Sequence, residues 1–342
     1  MSQKKVLVLG STGAMGQYLV PKLAERGYLV DAVALDECPF RHANVNVITG
    51  NSMDYSFRTE LLKNNYDAIV DFMIYTTREL VLYLPEIINA TGHYIYLSSY
   101  RIYDGCEVPV KETSPRLLDN SNDILLKNSD DYCIYKARGE DIVRSYAKKN
   151  WTIIRPAITY SLKRYQLVTL EAFATVCRAK LGKTVVLPES ARNIQGTMSW
   201  AGDVAEMIAR LLFNEGAFGE TFTVATAEHH TWGEIAEYYQ DICGLKALWV
   251  DQEDFLNIVA DDYKRFPYAN RWQLIYDRLF NRVMDNSKVL SVTGMRQENL
   301  MKLYDGLKYE VARCPDDFVQ TVKDYPMNLR MDQYLKEMGM VS

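Results

Sequence analysis

Apolar positions along this chain follow two rhythms. Short, nearly continuous apolar runs predict six strands: Val6 to Leu9, Leu29 to Leu35, Val45 to Ile48, Ala68 to Ile74, Tyr94 to Ser98, and Thr152 to Ile154. Between several of them the apolar residues switch to helical spacing. Met15, Leu19, Val20 and Leu23 share one face, and Gly27 stops that helix; Leu80 to Asn89 and Tyr132 to Lys148 repeat the pattern. Strands that are apolar on both faces belong inside a parallel sheet covered by helices. Past Pro156 the pattern changes and helical periods dominate, with one more strand near Thr221 to Val224. Thr231-Trp232-Gly233-Glu234 reads as a capping box for a helix running to about Cys243. Further helices are expected around Phe255, Trp272 to Val283 and Leu300 to Val311. The expected fold class is therefore α/β, a doubly wound parallel sheet with a smaller, mostly helical C-terminal lobe. No Gly/Ser linker separates the halves, so the two lobes should pack closely.

The first strand runs directly into Gly10-Ser11-Thr12-Gly13-Ala14-Met15-Gly16, and a helical pattern follows at once. A strand, a glycine turn and a helix in that order form a dinucleotide-binding loop. Glycines let the backbone approach a pyrophosphate, and the helix N-terminus presents roughly half a positive charge to it. Gly10, Thr12, Gly13, Ala14, Met15 and Gly16 are the candidate phosphate-binding residues. Asp36, at the end of the second apolar run, is placed to hydrogen-bond the adenosine ribose and favours NAD over NADP. If Ala34 ends that strand instead, the ribose site lacks its acid and Arg41 could meet the 2′-phosphate of NADP. Ligands of such sheets bind beyond the C-terminal strand ends. Asn51, Ser52, Phe72, Met73, Ser98, Ser99 and Pro156 fall at the same edge.

A second informative stretch is Asp131-Tyr132-Cys133-Ile134-Tyr135-Lys136. Tyr132 and Lys136 are four apart and share one face of a helix. An ammonium beside a phenol favours the phenolate, which can exchange a proton with an alcohol or ketone while a nicotinamide carries the hydride. Ser99 could hydrogen-bond the same substrate oxygen. Tyr135 lacks a lysine four residues on and reads as packing, as does Cys133. Asp130 and Asp131 read as helix caps.

In this order the parts resemble the extended short-chain dehydrogenase/reductase family, the NAD-dependent epimerase/dehydratase group. Tyr96-Leu97-Ser98-Ser99-Tyr100-Arg101-Ile102-Tyr103 is similar to its Ser-Ser-x-x-Val-Tyr strand end. Glu112-Thr113-Ser114-Pro115, Tyr132 through Glu140, Arg155 through Tyr160, Asp203-Val204-Ala205 and Asp285-Asn286-Ser287-Lys288 resemble its later landmarks. The resemblance implies a Rossmann-type domain over residues 1–160 with a return segment at 196–226. Residues 161–195 and 227–342 would form the substrate lobe. It also implies Tyr132 as acid/base, Lys136 as activator and cofactor contact, and Ser99 as the substrate-orienting hydroxyl. Dehydratases of the family carry Asp-Glu where this chain has Tyr100 and Arg101, and an arginine cannot serve as acid or base. An epimerase or ketoreductase is expected rather than a 4,6-dehydratase. Sugar-nucleotide epimerases usually place Asn where Ile158 stands, so a sugar nucleotide is not secured. Candidate substrate contacts are Tyr100, Arg101, Arg164, Arg192 and Arg278. A relative that binds RNA or protein and has lost its chemistry is the alternative; the complete Ser99, Tyr132 and Lys136 set argues against it.

Composition narrows the partners. The 342 residues carry a net charge of −5 with no strongly basic stretch, which disfavours nucleic acid. No apolar run reaches the ~18 residues that suggest a membrane span. Six scattered cysteines without a C-x-x-C pair read as reduced thiols in a cytoplasm. His42, His93, His229 and His230 lack metal-ligand spacing, so no metal is expected. The expected partners are a small-molecule substrate and, since the family often pairs through the helix bearing Tyr132, a second copy of the chain.

Overall fold

The computed structural model describes residues 3–260 and 269–340. Its centre is a seven-stranded sheet: β1 (Lys5–Leu9), β2 (Leu29–Ala34), β3 (Val45–Thr49), β4 (Tyr66–Asp71), β5 (Thr91–Leu97), β6 (Trp151–Pro156) and β7 (Glu220–Val224). Every neighbouring pair is parallel, in the order β7-β6-β5-β4-β1-β2-β3. The strand order reverses between β1 and β4, which opens a crevice at their C-terminal ends.

Successive side chains of a strand point to opposite faces, and β1 shows the consequence. Val6 and Val8 pack with Leu19, Val20 and Leu23 of α1 (Gly16–Glu25) and with Val204, Met207 and Ile208 of the helix Ala201–Leu211. Leu7 and Leu9 pack on the other face with Leu61 of α2 (Tyr55–Leu62), with Leu80, Leu84 and Ile87 of α3 (Thr77–Asn89), and with Val143 of α4 (Tyr132–Arg144). The strand is buried on both sides, so its sequence is apolar throughout. A third core lies beyond the sheet, where Tyr160, Tyr165, Leu187, Trp232, Tyr239, Phe255 and Leu307 cluster. The capping box of Thr231 and Glu234 forms as its sequence predicts, and Gly244 closes that helix in the left-handed conformation.

Several boundaries differ from the sequence pattern. Strand β2 stops at Ala34, and Leu35 is 67% exposed. Strand β4 stops at Asp71, and Ile74 is 60% exposed. In both places the apolar run continues past the point where the chain leaves the sheet. Helix α4 ends at Arg144, short of Lys148. The helix expected from Trp272 to Val283 is a short α segment, Ala269–Gln273, that widens into a π turn at Leu274–Arg278. The Leu279 amide donates to the Leu274 carbonyl at 3.0 Å, an i to i+5 bond. A parallel pair, Thr184–Pro188 with Lys246–Val250, was not evident from the sequence.

The three loop glycines have separate duties. Gly10 turns the chain at φ +75°. Gly13 is exposed, and a Cβ there would meet only the Gly10 carbonyl oxygen, at 3.3 Å. Gly16 is buried, and its Cβ would lie 2.4 Å from the Ser11 carbonyl oxygen. Gly16→Ala should therefore destabilise the fold by ~1–3 kcal/mol, since backbone must shift to admit the methyl group. Urea unfolding measures this, and a midpoint equal to the parent's would show that the contact yields freely.

Candidate active site

The glycine loop, the end of β4 and the end of β5 meet at the C-terminal edge of the sheet. The Gly10 and Ser11 amides both donate to the Val33 carbonyl at 3.0 Å, and the Phe72 amide donates to the Leu9 carbonyl at 3.1 Å. Phe72 and Met73 lie against Gly10, where a Cβ would sit 3.3 Å from the Phe72 Cβ and 3.7 Å from the Met73 Sδ. The first-turn amides of an α-helix have no intrahelical partner, and Met15 at the N-cap of α1 supplies no side-chain bond. Thr12, Ala14 and Met15 are half-buried beside this helix end. Pro156, at the end of β6, is buried.

Helix α4 places three side chains on one face at four-residue spacing: Tyr132, Lys136 and Glu140. Asp131 caps the helix, its side chain accepting from the Cys133 amide at 3.2 Å. Asp130 instead accepts from Thr77, at 3.1 Å from the amide and 2.5 Å from the hydroxyl, and so ties α3 to the entry of α4. Lys136 is buried, with Nζ donating to the Leu97 carbonyl at 2.6 Å. That nitrogen lies 5.8 Å from the Tyr132 ring centroid and 5.3 Å from that of Tyr96. Burial pulls the Lys136 ammonium down to about 8, while Asp71 and Glu140 push the other way. Asp71 is itself buried, which raises its pKa; it accepts from Tyr75 and Tyr94 hydroxyls at 3.0 and 2.9 Å and from the Met73 amide at 3.0 Å.

Glu140 is wholly buried and joins four elements. One oxygen accepts from Ser98 Oγ at 2.5 Å and from Arg155 Nε at 2.7 Å. The other accepts from Arg155 Nη2 at 2.6 Å and faces Arg144 Nη2 at 3.0 Å. Arg155 continues to the Tyr103 hydroxyl at 2.5 Å and the Glu112 carbonyl at 2.8 Å. Burial pushes Glu140 up, but Arg155, Arg144 and Ser98 outweigh it and hold the carboxyl below its usual value. Neither Glu140 nor Asp71 stood among the expected site residues. The spacing Tyr132, Lys136, Glu140 is the sequence signal that marks Glu140; Asp71 sits within an apolar run that disguises it.

The other expected residues divide. Ser99 is buried beside the lysine-bearing edge, its Oγ accepting from the Arg101 amide at 3.2 Å. Arg101 lies with its guanidinium carbon 5.0 Å from the Tyr132 ring centroid. Tyr100 is not open to a ligand, because its hydroxyl donates to Asp277 at 2.9 Å in the interior. Arg278 is likewise engaged by the Val168 carbonyl, the Tyr100 hydroxyl and Asp277. Arg164 is exposed, and exposed Arg192 stacks over Trp249 and pairs with Glu189 at 3.7 Å. Asn51 is exposed, its side chain accepting from the Met53 amide, while Ser52 is buried with its carbonyl bound by Arg58. Asp36 lies two residues past the end of β2 and is exposed, so Ala34 takes the strand-end position. The Arg41 guanidinium donates to the Cys38 and Phe40 carbonyls, at 3.2 and 2.9 Å. Among the described residues no group of three or more His, Cys, Asp and Glu could hold a metal ion, and no helix is long and apolar enough to cross a membrane.

The family model described as the NAD dependent epimerase/dehydratase family matches residues 6–225. The chain belongs to this family. A curated relative, the chloroplast stem-loop binding protein of 41 kDa b from Arabidopsis thaliana, is 24% identical over 251 residues. That match covers 69% of this chain and 62% of the relative, so the chain spans less than two thirds of the relative's length. Among solved structures, an epimerase from Methanothermobacter thermautotrophicus superposes with a TM-score of 0.71 at 13% identity, covering 95% of both chains. A dTDP-glucose 4,6-dehydratase from Bacillus anthracis, solved with NAD, superposes with a TM-score of 0.69 at 16% identity, covering 94% of this chain and 100% of that one. Epimerases and dehydratases of the family thus share this Rossmann-type fold.

The unfolded chain holds the Lys136 proton more tightly than the folded one, so folding stability from this group rises as pH climbs from about 8 toward 10.5. Lys136→Met removes that dependence. Its advantage over the parent in unfolding free energy from urea titration, about 3 kcal/mol near pH 7 for a shift from 10.5 to about 8, should shrink by pH 10; a constant difference would contradict it. Glu140→Gln should cost ~3–5 kcal/mol, because it leaves Arg155 buried without its charge partner. The parent should progressively lose the stabilisation that this carboxylate gains from its partners as pH falls below the usual 4.5 of a glutamate, because there the unfolded chain takes up a proton that folded Glu140 resists until lower pH. Urea titrations at pH 7 and pH 4 test both statements.

Proposed function

We propose that this member of the epimerase/dehydratase family is an NAD-dependent enzyme acting on a carbinol or ketone carbon, as an epimerase or ketoreductase, with a sugar or sugar nucleotide as substrate. The observation that carries the reading is the placement of Lys136. Its buried ammonium lies between the Tyr132 ring and the Leu97 carbonyl at the end of β5, two residues before Ser99 in sequence. The loop at Gly10 to Gly16 fits a dinucleotide pyrophosphate, because exposed Gly13 leaves room and the α1 N-terminus has no side-chain cap. NAD, when bound, supplies a hydride acceptor and donor. Gly10, Thr12, Gly13, Ala14, Met15 and Gly16 would hold it, with Asn51, Ser52, Phe72, Met73 and Pro156 along its course. With Ala34 ending β2, Asp36 is not held at the strand end, and the preference for NAD rests on the NAD-dependent family and on the NAD complexes among the similar structures.

In this reading Tyr132 takes the proton of the substrate hydroxyl, or returns it to a carbonyl oxygen. Ser99 donates a hydrogen bond to the same oxygen and holds it against the phenol. The Lys136 ammonium stabilises the phenolate, and the Leu97 carbonyl fixes its position. The shared fold does not separate epimerases from dehydratases, and a dehydratase is among the similar structures. The reading against dehydration rests on Tyr100 and Arg101, which supply no carboxylate for elimination. The curated relative favours a second reading, a cofactor-binding protein that acts through a macromolecular partner; its printed name is that of a stem-loop binding protein.

Tyr132→Phe separates the two. It should lower turnover of a nucleotide sugar by at least ~10² while NAD binding, followed by protein fluorescence, stays within about twofold. Unchanged turnover would remove Tyr132 from the chemistry. Wild-type protein that binds NAD, turns over none of a nucleotide-sugar panel and shifts a stem-loop RNA would support the second reading.

A further inference from the structure

We infer that the substrate carries an oxyanion, a carboxylate or a phosphate ester, close to the reacting carbon, and that Arg101 receives it. The inference rests on the reading of Tyr132 as the acid/base. Arg101 sits in the 3₁₀ turn Tyr100–Ile102, two residues past Ser99. Only 14% of its side chain is exposed. A guanidinium carries five N–H donors, and among the described residues none of those of Arg101 makes a hydrogen bond. The nearest carboxylates stand off: Asp131 Oδ1 at 3.7 Å and Asp277 Oδ2 at 3.6 Å. Both are engaged elsewhere, Asp131 by the Cys133 amide and thiol, Asp277 by Tyr100, Arg278 and Arg282. Buried Arg101 Nε, whose ion-pair contact with Asp277 is 3.6 Å long, has no hydrogen-bond partner, nor has Nη1 of Arg282.

A buried donor left without a hydrogen bond is destabilising. The contact with the Tyr132 ring is a cation–π interaction and satisfies no N–H. Asp277 is shared by Arg101, Arg278 and Arg282 and lies closer to the latter two, so it is not dedicated to Arg101. A planar fork whose N–H donors make no hydrogen bond fits a bidentate carboxylate or phosphate. Its place over the Tyr132 ring lets one small substrate reach both groups.

Calorimetric titration with glucuronate, glucose 6-phosphate and glucose tests this, run with and without NAD. Wild-type protein should bind at least one charged sugar tenfold or more tightly than glucose, and which one distinguishes carboxylate from phosphate. Arg101→Met should abolish the preference. Arg101→Lys, which keeps the charge and the fold but loses the fork, should reduce it and leaves the test standing if the methionine variant does not fold. Charged sugars that bind no better than glucose, or a preference that survives in the variants, would overturn the inference. Failure of wild-type protein to bind NAD would instead sink the enzymatic reading, while the titrations without NAD still decide the anion site.

Discussion

The buried pair of Glu140 and Arg155 is the constraint on which the site geometry depends. It clamps α4, the end of β5, β6 and the Glu112 segment around one carboxylate. Glu112 extends the clamp to β7, accepting from the Thr223 amide at 2.7 Å. Buried ion pairs are weak contributors to net stability because desolvation offsets their attraction, but they fix register strongly. A helix free to slide by one turn on this sheet would move the phenol and ammonium about 5.4 Å from Ser99. The bidentate contact between Glu140 and Arg155 prevents that slip, and Ser98 makes the neighbouring strand end part of the same lock.

Much of this was legible in the sequence. Val6 to Leu9 is apolar at every position because α1 covers one face and α2, α3 and α4 the other. Tyr132 and Lys136 share a face by spacing alone, and Thr231 with Glu234 announces its capping box. The sequence misleads where apolar character outlasts the structure. Leu35 and Ile74 extend their runs by hydropathy yet lie in water beyond the sheet, which displaced the expected strand end from Ala34 toward Asp36. The π turn at Leu274–Arg278 was not legible either, since its cause is tertiary: it turns Asp277 inward to meet Tyr100, Arg278 and Arg282.

The residues after Ser99 show how one scaffold accommodates different chemistry. The 3₁₀ turn offers two positions to the site's surroundings. Here Tyr100 goes inward to Asp277, and Arg101 stays at the phenol. The ammonium of Lys136 is kept buried at a cost in stability, its position fixed by the Leu97 carbonyl.

Strand β7 gives the architecture a different kind of freedom. It returns to pair with β6 only after the chain has left the sheet at Pro156 and come back at Glu220. The entropy of closing such an excursion grows only with the logarithm of its length, about 0.6 kcal/mol for each doubling. Loops within the intervening chain can lengthen or shorten at little entropic expense, provided the helix Ala201–Leu211, which covers one face of the sheet, is kept. New surface can thus be acquired inside the fold's own connectivity, while the edge strand that closes the sheet stays where it is.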